Sequence, residues 1–161
     1  MTEHSLQSAV NAVSQFLQST EATYYKLILL VGKQGTGKTT VLHAVSEQLK
    51  TPVINTSFEL SARLLELTTR QRALRLPEIF TEVIASVGKS VVLDNTEILF
   101  DRGLQQNPLR LLQSLSRNRQ VIAAWDGTLE DGKLLYAEPD HTEYRQYAVN
   151  DIFVVDMNTC L

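Results

Sequence analysis

The eight residues Gly32-Lys33-Gln34-Gly35-Thr36-Gly37-Lys38-Thr39 carry the strongest chemical signal in the chain. Glycines at 32, 35 and 37 let the backbone turn back on itself and approach a ligand closely. Successive amides then point inward and form an anion nest at the start of a helix. Lys38 is spaced to reach the β- and γ-phosphates of a nucleotide, and the Thr39 hydroxyl to ligate Mg²⁺. Thr40 falls next to the α-phosphate. Every fixed position of G-x-x-x-x-G-K-[ST] is filled. A plain glycine turn opening a helix would not need Lys-Thr behind it. The expected ligand is a purine nucleoside triphosphate, ATP with Mg²⁺.

A second acidic signal follows. Val91-Val92-Leu93-Asp94 is an apolar strand ending in aspartate, the pattern that holds Mg²⁺ beside a phosphate loop. In many hydrolysing enzymes of this kind a glutamate comes next and orients the attacking water. Here that residue is Asn95, whose amide can hold a water but cannot take its proton. Glu97 is the nearest carboxylate, and its reading is open between a catalytic group and a solvated or structural one. Hydrolysis is therefore expected to be slow or to need a partner.

Other polar residues carry weaker signals. Trp125 and Asp126 end a further apolar run, Gln120 to Trp125, where a γ-phosphate sensor could sit. A carboxylate beside a triphosphate is repelled, so Asp126 reads as the turn residue of Asp126-Gly127. Arg117 and Arg119 flank the start of that run and are candidates for an arginine finger offered to another subunit, with a helix cap or surface ion pair as the plainer reading of each. Arg70, Arg72 and Arg75 fall in an expected connection between helices. They could meet nucleic acid, a neighbouring subunit or only solvent, and no aromatic residues interleave for base stacking. Tyr24 or Tyr25 could stack on a base or pack in the core. His4, His43 and His141 have no metal-ligand spacing.

These residues need elements to position them. Leu27-Ile28-Leu29-Leu30-Val31 reads as a strand buried on both faces, and Thr39 to Leu49 as the helix after the loop. Further strands are expected at Pro52 to Asn55, Ser90 to Asp94, Gln120 to Trp125 and Ile152 to Val155, with Leu134 to Tyr136 a short or edge strand. Helices are expected from about Phe58 to Leu67, from Pro77 (as the first helical residue) to Val87, and over Pro108 to Leu115. Pro139 to Tyr147 could be a short helix. Over 1–20, Leu6, Val10, Val13, Phe16 and Leu17 recur at helical spacing and make an amphipathic helix, packed on the domain or kept for a partner. Alternation of strands and helices predicts an α/β fold with a mostly parallel, five-stranded sheet. Ligands of such folds sit at the carboxyl ends of the strands.

Composition narrows the class. With 161 residues, 43% hydrophobic and 20% charged, the chain suits one domain over 1–161. A formal charge of −3 argues against a chain-wide grip on DNA or RNA. The single cysteine, Cys160, permits no disulfide framework. The apolar runs are too short to span a membrane, and Met1 to Leu6 lacks the basic run of a signal peptide. A cytoplasmic protein is expected.

The run Leu27 to Thr40 resembles the AAA+ and STAND groups of P-loop NTPases, whose fold is a three-layer α/β/α sandwich. Leu93-Asp94-Asn95-Thr96-Glu97-Ile98-Leu99-Phe100 is similar to their second motif with Asn in place of Glu. Together with the Ala-Ala-Trp-Asp-Gly strand end and the small size, it resembles the BrxF family of small P-loop proteins of BREX bacteriophage-defence systems, over about residues 24 to 156. The resemblance implies a bacterial protein acting with other BREX proteins. After the last strand only 156–161 remain, so no helical lid domain is expected, and nucleotide-dependent homo-oligomers are less certain than in ring-forming relatives. The reading is a slow or partner-activated ATPase or nucleotide switch controlling assembly or partner binding. Against it stand a small-molecule kinase, disfavoured by an acidic, arginine-free segment from Gly127 to Lys133, and a non-hydrolysing DNA-binding adaptor built on Arg70 to Arg75.

Overall fold

The computed structural model describes residues 3–136, 145–149 and 151–159. Helix α1 (Glu3–Ser19) leads to strand β1 (Leu27–Gly32), the phosphate loop and helix α2 (Lys38–Leu49). Then come β2 (Val53–Asn55), α3 (Thr56–Leu64), α4 (Thr69–Ala85), β3 (Ser90–Asp94) and α5 (Pro108–Leu115). The chain closes with β4 (Gln120–Glu130), β5 (Lys133–Tyr136), β6 (Arg145–Ala148) and β7 (Phe153–Asp156).

Five strands run parallel in the order β2-β3-β4-β1-β7. The unbroken apolar run of β1 is explained by its place, since every residue of it is buried between β4 and β7. Its alternate side chains feed two cores. Leu27, Leu29 and Val31 pack with α3, α4 and α5, while Ile28 and Leu30 pack with α1 and α2. Helices thus cover both faces of the sheet. The apolar stripe of α1 is buried through Val10 and Val13, so this helix packs on the fold rather than standing free.

The sheet is larger than the expected five strands. Strand β4 runs on past the parallel layer and pairs antiparallel with β5, which pairs with β6. Asp126-Gly127 is therefore no turn; the turn lies at Asp131-Gly132, both at positive φ, the backbone a two-residue hairpin requires. Gly127 serves close packing instead, because a β-carbon there would run into the carbonyl of Leu135. The segment Gly127 to Lys133 is thus mostly strand. Of the helix expected over Pro139 to Tyr147, 139–144 lie outside the described residues, and Arg145 to Tyr147 belong to β6.

Helix α4 also departs from expectation. Pro77 sits inside it rather than at its start. The true N-cap is Thr68, which accepts from the Gln71 amide while the Gln71 side chain accepts from the Thr68 amide, a reciprocal cap. An internal proline orphans the carbonyl four residues earlier. That carbonyl, Ala73 O, accepts from Gln106 Nε2 at 2.9 Å. Arg70, Arg72 and Arg75 consequently lie on the first turns of α4, not in a connection.

Candidate phosphate-binding site

The loop from Gly32 to Gly37 joins the carboxyl end of β1 to the amino end of α2. Gly35 and Gly37 have φ of 83° and 95°, where a side chain would be strained. A β-carbon on Gly32 would collide with Thr36 Oγ1 and Met157 Cβ. Thr36 closes the loop through its hydroxyl on Lys33 O at 2.8 Å. The loop is also held from outside: Asn158 Oδ1 accepts from the Lys33 amide at 3.1 Å, and Asn158 Nδ2 donates to Gly127 O at 3.1 Å. Gly37 is the N-cap of α2 and supplies no side-chain cap, so the first amides of that helix are available to an anion.

Strand register brings the other polar groups to the same end of the sheet. Gly32 is level with Asp126, and Asn55 with Asp94. A basin of about 350 Å³ is lined by Gln34, Gly35, Gly37, Lys38 and Thr39 on one side and by Asp94, Asn95, Glu97 and Asp126 on the other. The buried Lys38 ammonium donates to Gly32 O at 2.5 Å and Lys33 O at 3.0 Å and lies 2.8 Å from Asp126 Oδ1. The Thr39 hydroxyl donates to Asp94 Oδ2 at 2.7 Å. Hydroxyl and carboxylate oxygens are the hard donors that suit Mg²⁺. Among the described residues no group of three acidic, His or Cys side chains could hold a metal alone, so a Mg²⁺ here would need phosphate oxygens or water to complete its shell.

Strand β3 ends at Asp94, and Asn95 takes a left-handed conformation, φ 52°, with its amide donating to Asp94 Oδ1. A short 3-10 turn, Thr96–Phe100, follows and is tied to β4 by Thr96 Oγ1 on Ala124 O at 2.6 Å. This early strand end is what carries Glu97 into the basin. Burial, then hydrogen bonding to Asp126, then the charges of Asp126 and Asp94 push its carboxyl up to about 7. Asp126, expected to be a plain turn residue, is instead a basin residue paired with Lys38. Trp125 is wholly buried; its indole N–H donates to Leu135 O, and its ring packs edge-on against Phe100 and Tyr147.

The remaining candidates lie elsewhere. Arg119 donates to the carbonyls of Ile84, Ala85 and Gly88 and so caps the end of α4, while the Arg117 guanidinium lies 5.0 Å from the centre of the Tyr24 ring. Both are at the amino end of β4, and Tyr24 and Tyr25 at the amino end of β1, opposite the loop. Arg72 bonds back to Leu65 O and Leu67 O; Arg70 and Arg75 are exposed. His43 is exposed on α2. Asn158, which braces the loop, follows the last strand with no pattern that marks it, and residue-type reasoning passes over it.

Residues 28–122 match the AAA family, the ATPase family associated with various cellular activities. In structure the chain is similar to PCH-2 of C. elegans (17% identity, TM-score 0.49, 94% of this chain and 42% of that one). It is also similar to AMPPCP-bound DnaA from Aquifex aeolicus (20%, 0.45, 91% and 45%) and to Drosophila ORC bound to DNA (18%, 0.47, 93% and 42%). The chain spans less than half the length of each. No protein of curated function matches it in sequence. No helix among the described residues is long and apolar enough to cross a membrane.

Proposed function

The chain belongs to the AAA ATPase family, and from that premise we propose that it binds ATP with Mg²⁺ and works as a slow or partner-activated ATPase, a nucleotide switch. The observation that carries this reading is the facing pair Thr39 and Asp94, 2.7 Å apart across the basin, with Lys38 beside them. Loop amides and Lys38 would hold the phosphates, and Thr39 and Asp94 the metal. Asn95 in the position after Asp94 leaves no carboxylate there to activate water. Glu97, bonded to Asp126, is the group placed to orient one.

The resemblance to the BrxF family extends the proposal to bacteriophage defence, with other BREX proteins as partners and a nucleotide-dependent homo-oligomer as one output. A small-molecule kinase gains no support from Gly127 to Lys133, which form the end of β4 and the turn into β5 rather than a basic lid. A DNA-binding role would rest on Arg70 and Arg75 alone, with Arg72 engaged by the carbonyls of Leu65 and Leu67 in the connection before α4.

Sedimentation of the wild type and Lys38→Ala with ATP or a slow analogue, with ADP release followed in the same samples, tests the switch. A larger species formed by the wild type alone is the expected result. Turnover at tens per second by the isolated chain, or ATP binding unaffected by Lys38→Ala, would overturn it.

A further inference from the structure

We propose a second ligand site, remote from the phosphate loop, that takes a small organic molecule carrying two phosphate groups. It is a cavity of about 690 Å³ between α5 and β6, within the size range of small-ligand sites. It shares no lining residue with the phosphate basin. One end reaches Tyr25, which precedes β1. The six residues of that strand, at about 3.3 Å each, set this end about 20 Å from the loop.

One helix face sets the chemistry of the cavity. Arg110, Gln113, Ser114 and Arg117 all line it, and positions i, i+3, i+4 and i+7 fall on a single stripe. The opposite stripe of α5, Leu111, Leu112 and Leu115, is buried in the core, which leaves the polar stripe to the cavity. Seven residues at about 1.5 Å each put the two arginines about 10 Å apart along the helix, with an amide and a hydroxyl between them. Among the described residues neither guanidinium is in an ion pair. Asp151 also lines the cavity but pairs with neither. Its φ of 58° places it in a left-handed turn, a conformation aspartate fills for backbone reasons.

Two like charges sharing one concavity repel each other, and an anion at each removes that cost. A guanidinium fork matches two phosphate oxygens at once. Arg117 is also held in place. Its guanidinium carbon lies 5.0 Å from the centre of the Tyr24 ring, and Tyr24 packs edge-on against Tyr25 at 4.8 Å. The Lys26 amide donates to Ser116 O at 2.9 Å, fastening this segment to the end of α5. An arginine fixed against a ring loses less freedom when it takes a ligand. Two phosphates joined by a hydroxylated chain, which Gln113 and Ser114 can bond, match this layout.

The test isolates the second phosphate. Fructose 1,6-bisphosphate and fructose 6-phosphate are titrated by calorimetry, without divalent cations, into the wild type, Arg110→Gln, Arg117→Gln, Lys38→Ala and Arg70→Gln. Arg70→Gln removes one charge outside the cavity and so controls for net charge. All three arginines are exposed, so these substitutions leave the core intact. In the wild type the bisphosphate should bind about tenfold or more tightly than the monophosphate, the range for a charge-assisted contact. That advantage should fall to near unity in Arg110→Gln and Arg117→Gln and persist in Lys38→Ala and Arg70→Gln. A wild type that binds neither sugar phosphate, or binds both equally, would overturn the proposal. Loss of the advantage in Lys38→Ala would move the binding to the phosphate loop, and equal loss in Arg70→Gln would reduce it to net charge; either result sinks the second site.

Discussion

The Lys38 ammonium lies 2.8 Å from Asp126 Oδ1, and the two side chains are only 8% and 19% exposed. The residue best placed to hold a γ-phosphate is therefore already engaged by a carboxylate. A triphosphate must compete with Asp126 for Lys38 and also sit near an uncompensated charge. Asp126→Asn removes both obstacles while preserving shape. It should tighten ATP binding by about fivefold, the equivalent of roughly 1 kcal/mol for a partly exposed pair. Lys38→Ala should weaken it by about ten- to a hundredfold, the range for charge-assisted bonds. Calorimetric titration checks both; equal or weaker binding by Asp126→Asn would mean that the ion pair does not restrain the lysine.

Asn158 links the phosphate loop to the strand that carries Asp126, through Lys33 N–H and Gly127 O. Each bond is worth about 1 kcal/mol, and together they fix the spacing across the basin. Asn158→Ala should weaken nucleotide binding severalfold while lowering stability by no more than about 1–2 kcal/mol. Asn158→Asp keeps the acceptor for Lys33 but loses the donor to Gly127, and adds a negative charge beside the loop, so it should bind more weakly than Asn158→Ala. Unchanged affinity in both variants would reduce Asn158 to a surface residue.

The proline inside α4 is tolerated because Gln106 Nε2 supplies the donor that Pro77 lacks, at 2.9 Å from Ala73 O. Gln106→Ala should cost about 1–2 kcal/mol, the penalty of an unpaired carbonyl. The same change in a Pro77→Ala background should cost less, because the restored amide at 77 satisfies Ala73 within the helix. A double-mutant cycle by urea unfolding reads the coupling. Strict additivity would show that the long-range bond does not compensate the proline.

Much of this arrangement is legible in residue types. The loop from Gly32 to Thr39, the buried run of β1 and the acid ending β3 mark themselves by local pattern, because a strand buried on both faces and a phosphate nest each demand particular residues at particular spacings. Helix α5 spans Pro108–Leu115 as expected, with the proline at its first position. What escapes local reading depends on distant partners. Pro77 looks like a helix start unless Gln106 is known to lie against Ala73. Asp126-Gly127 looks like a turn because the glycine is needed only for its close approach to Leu135 of the neighbouring strand, and the pairing of Asp126 with Lys38 exists only once β4 lies beside β1. Glu97 is intermediate: its distance from Asp94 permits a place in the basin, but only the left-handed turn at Asn95 puts it there.

Glu97 gives the site a dependence on pH that can be signed. Its carboxyl is pushed from 4.5 up to about 7, by burial first and then by Asp126. A carboxyl with a raised folded value binds its proton more tightly in the folded chain than in the unfolded one. Ionising it therefore destabilises the fold. No cost exists below about 4.5; it grows as pH rises through the interval and is complete above about 7. Glu97→Gln retains a donor toward Asp126 and cannot ionise. Its melting temperature should exceed that of the wild type at pH 8, and the gap should close as pH falls to 4.5. Because the side chain is only half-buried, solvent screening keeps the gap small. Thermal unfolding across this range, in buffer without nucleotide or divalent cations, checks it. A constant gap would assign the effect of the substitution to packing, and a wild type more stable than Glu97→Gln at pH 8 would reverse the sign argued from burial and Asp126.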